Sequence, residues 1–170
     1  VGCLMNPLIG RKSKGEDVSV TKRKKIMIAG YGPGGLKCAE ELVKRGHHVS
    51  IYEKEGRLGG QLNPCSIPPG KAEFARAIEY FSNLLPKLGV EIFLNSEVTP
   101  SVVESEKPDV VIVATGASLA VPRIPGVEKE KVTTAIDALE GKVHVGKRVV
   151  VIGGGGIGCD TALFLAMEGA

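Results

Sequence analysis

The chain has 170 residues, of which 43% are hydrophobic, enough for one domain of ordinary size with a sizeable core. Its net charge of +3 comes from scattered lysines and arginines, and only 4% of its residues are aromatic, which disfavours a nucleic-acid-binding surface. No run approaches the roughly 18 apolar residues of a membrane-spanning helix, and the N-terminus lacks the order of a signal peptide, so we expect a cytoplasmic protein without membrane or nucleic-acid partners.

The first predicted elements form a β-α-β unit. Residues 1–24 end in a charged stretch with no apolar period, and we interpret them as a linker. The apolar run Lys25–Ala29 predicts a strand, and a glycine turn then leads into a predicted helix from Pro33 to Arg45. Val49–Tyr52 predicts the next strand, and Glu53 follows at its carboxyl end. Two strands joined by one helix in this way are typical of a parallel sheet.

Strand and helix patterns continue to alternate along the rest of the chain. In order, they predict a helix at residues 72–88, a strand at Val90–Leu94, a short helix opened by Thr99 and Pro100, a buried strand at Val110–Ala114, a strand at Arg148–Ile152 and a helix that begins near Gly156. These strands are mainly apolar, as strands are when both faces of their sheet are covered. The sequence therefore predicts an α/β fold with a Rossmann-like parallel sheet.

A glycine turn joins the first predicted strand and helix. Its residues are Gly30, Gly32, Pro33, Gly34 and Gly35, which fit the pattern G-x-G-x-x-G. In this pattern the glycines make a tight turn, admit a diphosphate to the backbone and allow close helix packing, and the diphosphate caps the helix. Glu53 lies 23 residues after Gly30, where a carboxylate accepts hydrogen bonds from a ribose diol. A glycine turn alone needs no ligand, but its combination with strand, helix and acid predicts a dinucleotide site.

A second glycine turn of the same form lies near the end of the chain. Its residues are Gly153, Gly155, Gly156, Ile157 and Gly158. The residue that distinguishes NAD from NADP follows the next strand of such a unit, which we expect beyond Ala170. The sequence therefore predicts a second dinucleotide site, leaves the choice of coenzyme open and suggests a fragment of a longer protein.

Two further segments carry a resemblance to a known superfamily. EKEGRLGGQL at residues 53–62 and VVIVATGA at residues 110–117, together with the two turns, resemble the flavoprotein disulfide-reductase-like superfamily with two dinucleotide-binding domains. The resemblance implies that residues 25–125 are the N-terminal part of an FAD-binding domain, and that residues 126–170 are a connector and the first β-α unit of an NAD(P)-binding domain. It also implies that further residues lie at the FAD site: Lys54, Gly59, Gly60, Gln61, Val98, Ala114, Thr115 and Gly116.

A narrower resemblance covers nearly the whole chain. CLMNPLIGRK near the N-terminus, RLGGQLNPCSIPPGKAEF and VGKRVVVIGGGGIGCDTALFLA resemble the old-yellow-enzyme-related NADH:flavin oxidoreductases, the group of 2,4-dienoyl-CoA reductase and trimethylamine dehydrogenase. The resemblance implies a longer protein in which a barrel with FMN and a 4Fe-4S site come first, with Cys3 matching the last cluster ligand. The barrel and the other three cluster cysteines are absent from this chain, so we expect Cys3 to be a free thiol here and the isolated chain to be inactive.

These resemblances imply a flavin-dependent oxidoreductase. In the full-length protein, NAD(P)H would reduce FAD, and electrons would pass through the cluster and FMN to a small unsaturated or amine substrate. No residue of the chain is a convincing general acid or base, so we assign no catalytic residue.

Two alternatives stay open at this point. The first turn and Glu53 read only the ADP half of a dinucleotide, so the chain could instead be a structural module that binds ADP without a redox role. A thioredoxin-reductase-like fragment with Cys65 as a redox thiol is the other alternative, but the four cysteines contain no C-x-x-C pair. The sequence leaves the substrate and a homo-oligomeric state undetermined.

Overall fold

The structure is a computed structural model that describes residues 20–170. Cys3 and most of the predicted linker lie outside these residues. The described elements are β1 (Lys25–Ala29), α1 (Pro33–Lys44), β2 (His48–Tyr52), α2 (Leu62–Cys65), α3 (Glu73–Lys87), β3 (Glu91–Phe93), α4 (Pro100–Glu106), β4 (Val110–Val113), α5 (Ala135–Leu139) and α6 (Gly156–Met167). Among residues 20–170, no helix combines the length and the apolar character needed to cross a membrane.

The four described strands form one parallel sheet in the order β3-β2-β1-β4. The two central strands are buried from their second residue onward, and Ile28 of β1 pairs in register with Ile51 of β2 and Ile112 of β4. This arrangement confirms the predicted Rossmann-like α/β fold. The apolar runs at β1 and β2 are the centre of the core, since Ile28 and Ile51 are both 0% exposed.

Helix α1 connects β1 to β2 and fixes where their carboxyl ends lie. It buries Leu36 and Ala39 completely, and it ends at Lys44, where Gly46 takes a left-handed conformation with φ of +94°. Because β1 and β2 are parallel neighbours, the turn after Ala29 and the residue after Tyr52 come to the same edge of the sheet.

The next elements extend the sheet on the β2 side. Helix α3 buries Leu85, and Pro86 lies in its last turn, where it does not break the helix before Lys87. The Tyr52 and Phe93 rings of the adjacent strands β2 and β3 stack with centroids 4.7 Å apart. This cross-strand ring pair adds to the backbone pairing at the carboxyl end of the sheet.

Two predictions about strands in the second half of the chain were wrong. The predicted strand Arg148–Ile152 belongs to no described strand, and Val150 and Ile152 are 87% and 65% exposed. A strand exists only with a partner for its N–H and C=O groups, and this segment has none among the described residues. The strand predicted at residues 110–114 does form, as β4, but its predicted burial was wrong, because β4 lies at an edge of the described sheet with Val113 76% exposed.

The described chain divides into two compact units. One contains the described residues up to Gly60 together with Ala77–Gly116, and therefore the whole sheet. The other contains Gln61–Arg76 and Ala117–Ala170. Within this second unit, an ion pair between Lys71 and Asp160 joins its two chain segments. The predicted boundaries at residues 25–125 and 126–170 stay a prediction.

The end of α4 generates a stability prediction. Lys107 caps this helix in a left-handed conformation with φ of +47°, which strains any residue that has a Cβ. We expect Lys107→Gly to raise the free energy of unfolding by roughly 0.5–1 kcal/mol, because glycine adopts this conformation without strain. Urea denaturation of the chain measures the change.

The matched control for this prediction is Lys107→Ala, which removes the same charge and keeps the Cβ. We expect its unfolding midpoint to stay near that of the parent. A midpoint that rises equally in both variants would assign the gain to the lost lysine charge instead.

Candidate functional site

The first glycine turn lies between β1 and α1 and packs against the segment that follows β4. Gly30 has φ of +107°, and a Cβ at this position would lie 2.4 Å from the carbonyl oxygen of Ala114. The Gly30 N–H donates to the Tyr52 carbonyl over 2.8 Å, and the Ala114 N–H donates to the Ala29 carbonyl over 2.8 Å. Only glycine therefore fits the first position of the turn.

Close contact within the turn also fixes the third glycine. A Cβ on Gly35 would lie 2.1 Å from the carbonyl oxygen of Gly30, whereas Gly32 and Gly34 have nothing within 4 Å of an added Cβ. The glycines of the motif thus serve different purposes: Gly35 lets the helix approach the strand, and Gly32 leaves the outer side of the turn open.

The amino end of α1 offers hydrogen-bond donors toward this open side. The first intrahelical bond runs from Leu36 N to Gly32 O over 3.0 Å, so the N–H groups of Gly34 and Gly35 have no acceptor within the helix. Pro33 has no N–H to satisfy, and the first turn of the helix carries no acidic residue. Free donors, the positive end of the helix dipole and open space together fit a diphosphate.

Glu53 lies beside the turn and is held by backbone groups on both sides. Its Oε2 accepts a hydrogen bond from Tyr31 N over 2.9 Å, and its Oε1 accepts one from Glu55 N over 2.9 Å. The residue is only 7% exposed. Its own backbone is fixed by bonds from Glu53 N to Phe93 O and from Ser96 N to Glu53 O, over 2.9 and 2.8 Å. The predicted ribose acid is thus rigid and adjacent to the predicted diphosphate site.

Tyr31 is a residue of this site that the sequence analysis missed. It occupies the second position of the turn, and its side chain is 0% exposed. Besides donating its N–H to Glu53, it accepts a hydrogen bond at its carbonyl from Gly59 N over 3.1 Å. The available signal was a large aromatic residue inside a glycine-rich turn.

The predicted flavin-side residues divide between the two units. In the first unit, the bond from Gly59 and the 3.1 Å approach of a Cβ on Gly60 to Gly32 Cα place both glycines against the first turn. Thr115 is also close, since its Cα would lie 3.1 Å from a Cβ on Gly30. The remaining predicted residues of this unit are the exposed Lys54, the half-buried Val98 and the exposed Gly116.

Gln61 belongs to the second unit, where its side-chain Nε2 donates to Ala117 O over 2.9 Å.

The second glycine turn, in the second unit, repeats the geometry of the first. Gly153 has φ of +113°, and the helix cap Gly155 has φ and ψ of −77° and −179°, against −78° and −179° at Gly32. A Cβ on Gly158 would lie 2.0 Å from Gly153 O. Gly156 begins α6, and Ile157 is 60% exposed. The local shape of a diphosphate cradle is therefore present twice.

The described cysteines do not assemble a metal or dithiol centre. Cys38, Cys65 and Cys159 are free, and residues 20–170 contain no group of three side chains that could hold a metal ion. Burial raises the pKa of the Cys38 thiol, which disfavours the reactive thiolate. Cys3, the predicted cluster ligand, lies outside the described residues.

Comparison with known proteins places this site in a family. A family model described as pyridine nucleotide-disulphide oxidoreductase matches residues 24–170. NADH oxidase of Thermoanaerobacter brockii is 41% identical over 173 residues, which cover 99% of this chain and 27% of the relative. Cinnamate reductase of Clostridium sporogenes is 36% identical over 169 residues, which cover 99% of this chain and 25% of the relative.

A solved structure agrees with these relatives. The complex of 2-naphthoyl-CoA reductase with 2-naphthoyl-CoA matches 99% of this chain and 26% of that chain, with 37% identity and a TM-score of 0.91. The chain thus spans about a quarter of the length of the relatives it matches. Their names confirm the predicted resemblance to NADH:flavin oxidoreductases. Since the family model covers the sheet and both glycine turns, the chain belongs to the pyridine nucleotide-disulphide oxidoreductase family.

Proposed function

We propose that the first unit binds FAD through its ADP half, and that the full-length protein is an NAD(P)H-dependent flavin oxidoreductase. The observation that carries the proposal is the position of the buried Glu53 carboxylate, hydrogen-bonded to Tyr31 N inside the glycine turn itself. A diphosphate at the turn and a ribose diol at Glu53 are the two groups that one ADP moiety presents together.

The residues of the first unit have separate roles in this binding. The N–H groups of Gly34 and Gly35 face the diphosphate, where the helix dipole adds to their attraction. The Glu53 carboxylate has about four acceptor positions and uses two of them on Tyr31 and Glu55, so acceptor capacity is left for a ribose diol. The hydrogen bond from Gly59 N to Tyr31 O brings the RLGG segment, residues 57–60, to the same turn. The family resemblance implies that this segment lies on the flavin side of FAD.

The full-length activity is the wider part of the proposal. Bound FAD would supply the redox chemistry, namely acceptance of a hydride from NAD(P)H and release of electrons to a further acceptor. The names of the relatives, which include an NADH oxidase and two reductases, support this role over that of a structural ADP module. The second turn would hold the NAD(P)H diphosphate at the amino end of α6. A 4Fe-4S cluster, FMN, a cytoplasmic location and a small-molecule substrate complete the proposal for the full-length protein.

Retention of a yellow chromophore tests the choice between FAD and ADP. We expect the chain, incubated with FAD and then desalted, to keep a visible flavin spectrum, because the turn binds the ADP half. FMN, which lacks that half, should be lost on the same column. Protein that stays colourless but binds ADP in a calorimetric titration would support the structural-module alternative, and protein that binds neither would contradict the proposal.

Glu53→Gln tests the ribose contact. The substitution removes the negative charge and replaces one acceptor oxygen by an NH2 group, which would face a backbone N–H that donates to the carboxylate in the parent. We therefore expect ADP affinity to fall about 10- to 150-fold, or roughly 1.5–3 kcal/mol. Isothermal titration with ADP measures it. The control is Glu55→Gln, whose side chain is 66% exposed and whose backbone N–H is kept. Equal affinities of the two variants would argue against a ribose at Glu53.

A pair of neighbouring glycine substitutions tests the shape of the turn. Gly35→Ala places a methyl group 2.1 Å from Gly30 O, so we expect roughly 1–3 kcal/mol of destabilisation and loss of ADP binding. Gly34→Ala meets nothing within 4 Å and should stabilise the helix by up to about 1 kcal/mol. Thermal unfolding of both variants measures the difference. Similar melting temperatures for the pair would show that the turn is not packed as described.

A further inference from the structure

We propose that Tyr31 is a positioning residue: its buried ring holds the first glycine turn in the conformation that accepts a diphosphate, without contacting the nucleotide. The inference rests on the proposed function, since it concerns the same site. It assigns the ring a role that the glycine pattern does not contain, because the pattern places no requirement on the second position of the turn.

The burial of the ring is the first observation. Tyr31 is the bulkiest of the fully buried side chains of the described chain, although Pro33 and Gly34 of the same turn are exposed. A fully buried aromatic ring restricts its own backbone strongly, since it can move only if the packing around it opens. The turn is therefore attached to the protein interior at one point.

The hydroxyl of Tyr31 shows that the ring acts by packing. Burial raises the pKa of Tyr31 to about 12, against a smaller opposing effect of the Ser82 hydroxyl, so the phenol stays neutral. The Ser82 hydroxyl is near enough to affect the phenol, but it donates its own proton to Ile78 O over 2.6 Å, and no described residue makes a hydrogen bond of normal distance and angle to the Tyr31 hydroxyl. An unpaired buried hydroxyl contributes no stability, and the ring carries the attachment.

The backbone of Tyr31 transmits this attachment to the site. Its N–H is bonded to Glu53 and its carbonyl to Gly59, so the predicted ribose acid and the RLGG segment are both tied to the residue that the ring anchors. A displacement of Tyr31 would therefore disturb three parts of the site together.

The second glycine turn has the same backbone shape as the first but has no aromatic residue at the position of Tyr31. It has the same dihedral angles and the same close glycine approach, yet glycine stands at the position of Tyr31, namely Gly154. The turn geometry therefore does not require an aromatic residue. The ring adds restraint, and a restrained site binds more tightly because less of the population lies outside the binding-competent conformation.

Titration of ADP into three variants tests the inference. We expect Tyr31→Ala to weaken binding about tenfold while the protein stays folded, because the binding-competent fraction falls. Tyr31→Phe, which loses only the unpaired hydroxyl, should bind within about twofold of the parent. Leu85→Ala is the matched control, since Leu85 is also 0% exposed and in the same unit, and it should lose stability and keep its ADP affinity.

Two results would overturn the inference: unchanged affinity in Tyr31→Ala, or an equal loss in Leu85→Ala, which would reduce the role of the ring to general stability. If Tyr31→Ala does not fold, Tyr31→Leu replaces it, and we again expect its ADP affinity to be lower than those of Tyr31→Phe and Leu85→Ala. If the parent chain binds no ADP, the proposed function fails, and the amide signals of residues 32–35 without ligand decide the inference alone. They should broaden in the Tyr31→Ala spectrum and stay sharp in that of Leu85→Ala.

Discussion

The carboxylate of Glu53 connects the parts of the first unit that form its candidate site. It is almost fully buried, and a buried carboxylate is costly unless its oxygens receive hydrogen bonds. Here Tyr31 N and Glu55 N supply one bond to each oxygen, and both are backbone groups, so the bonds do not depend on flexible side chains. Because one of these donors lies in the glycine turn, satisfying the carboxylate also fixes the turn. The acid at the end of β2 and the turn after β1 thus hold each other in place.

The two glycine turns show which part of such a site is local. Their backbone angles agree within a few degrees, and in both the third glycine lies against the carbonyl of the first. Yet Gly30 would strike Ala114 with an added Cβ, whereas Gly153 would meet nothing within 4 Å. The geometry of the turn therefore forms from its own residues and the helix that follows. The neighbouring strand adds a constraint only where it is present.

Much of the first unit could be predicted from the sequence, because its signals are local. Residues 26–29 are all apolar and lie in β1, and the acid expected after β2 lies where the spacing placed it. Arg148–Ile152 carries an equally strong apolar signal and forms no strand, because strand formation depends on a partner that local pattern does not report. Helix α2 was missed within a loop rich in glycine and proline, since its four residues are too few for a helical period.

Tyr31 escaped sequence analysis for a different reason, and the reason bears on how the site works. Periodicity identifies buried faces of helices and strands, but a side chain that turns inward from a loop has no period. Such a residue is visible only once the interior it enters is known. In the first unit the turn is consequently restrained by the Tyr31 ring, by Glu53 and by the segment after β4. In the second unit, residues 153–158 form the same cradle with none of these restraints described. An ADP moiety would therefore meet a prepared site in the first unit, where little further ordering is needed on binding.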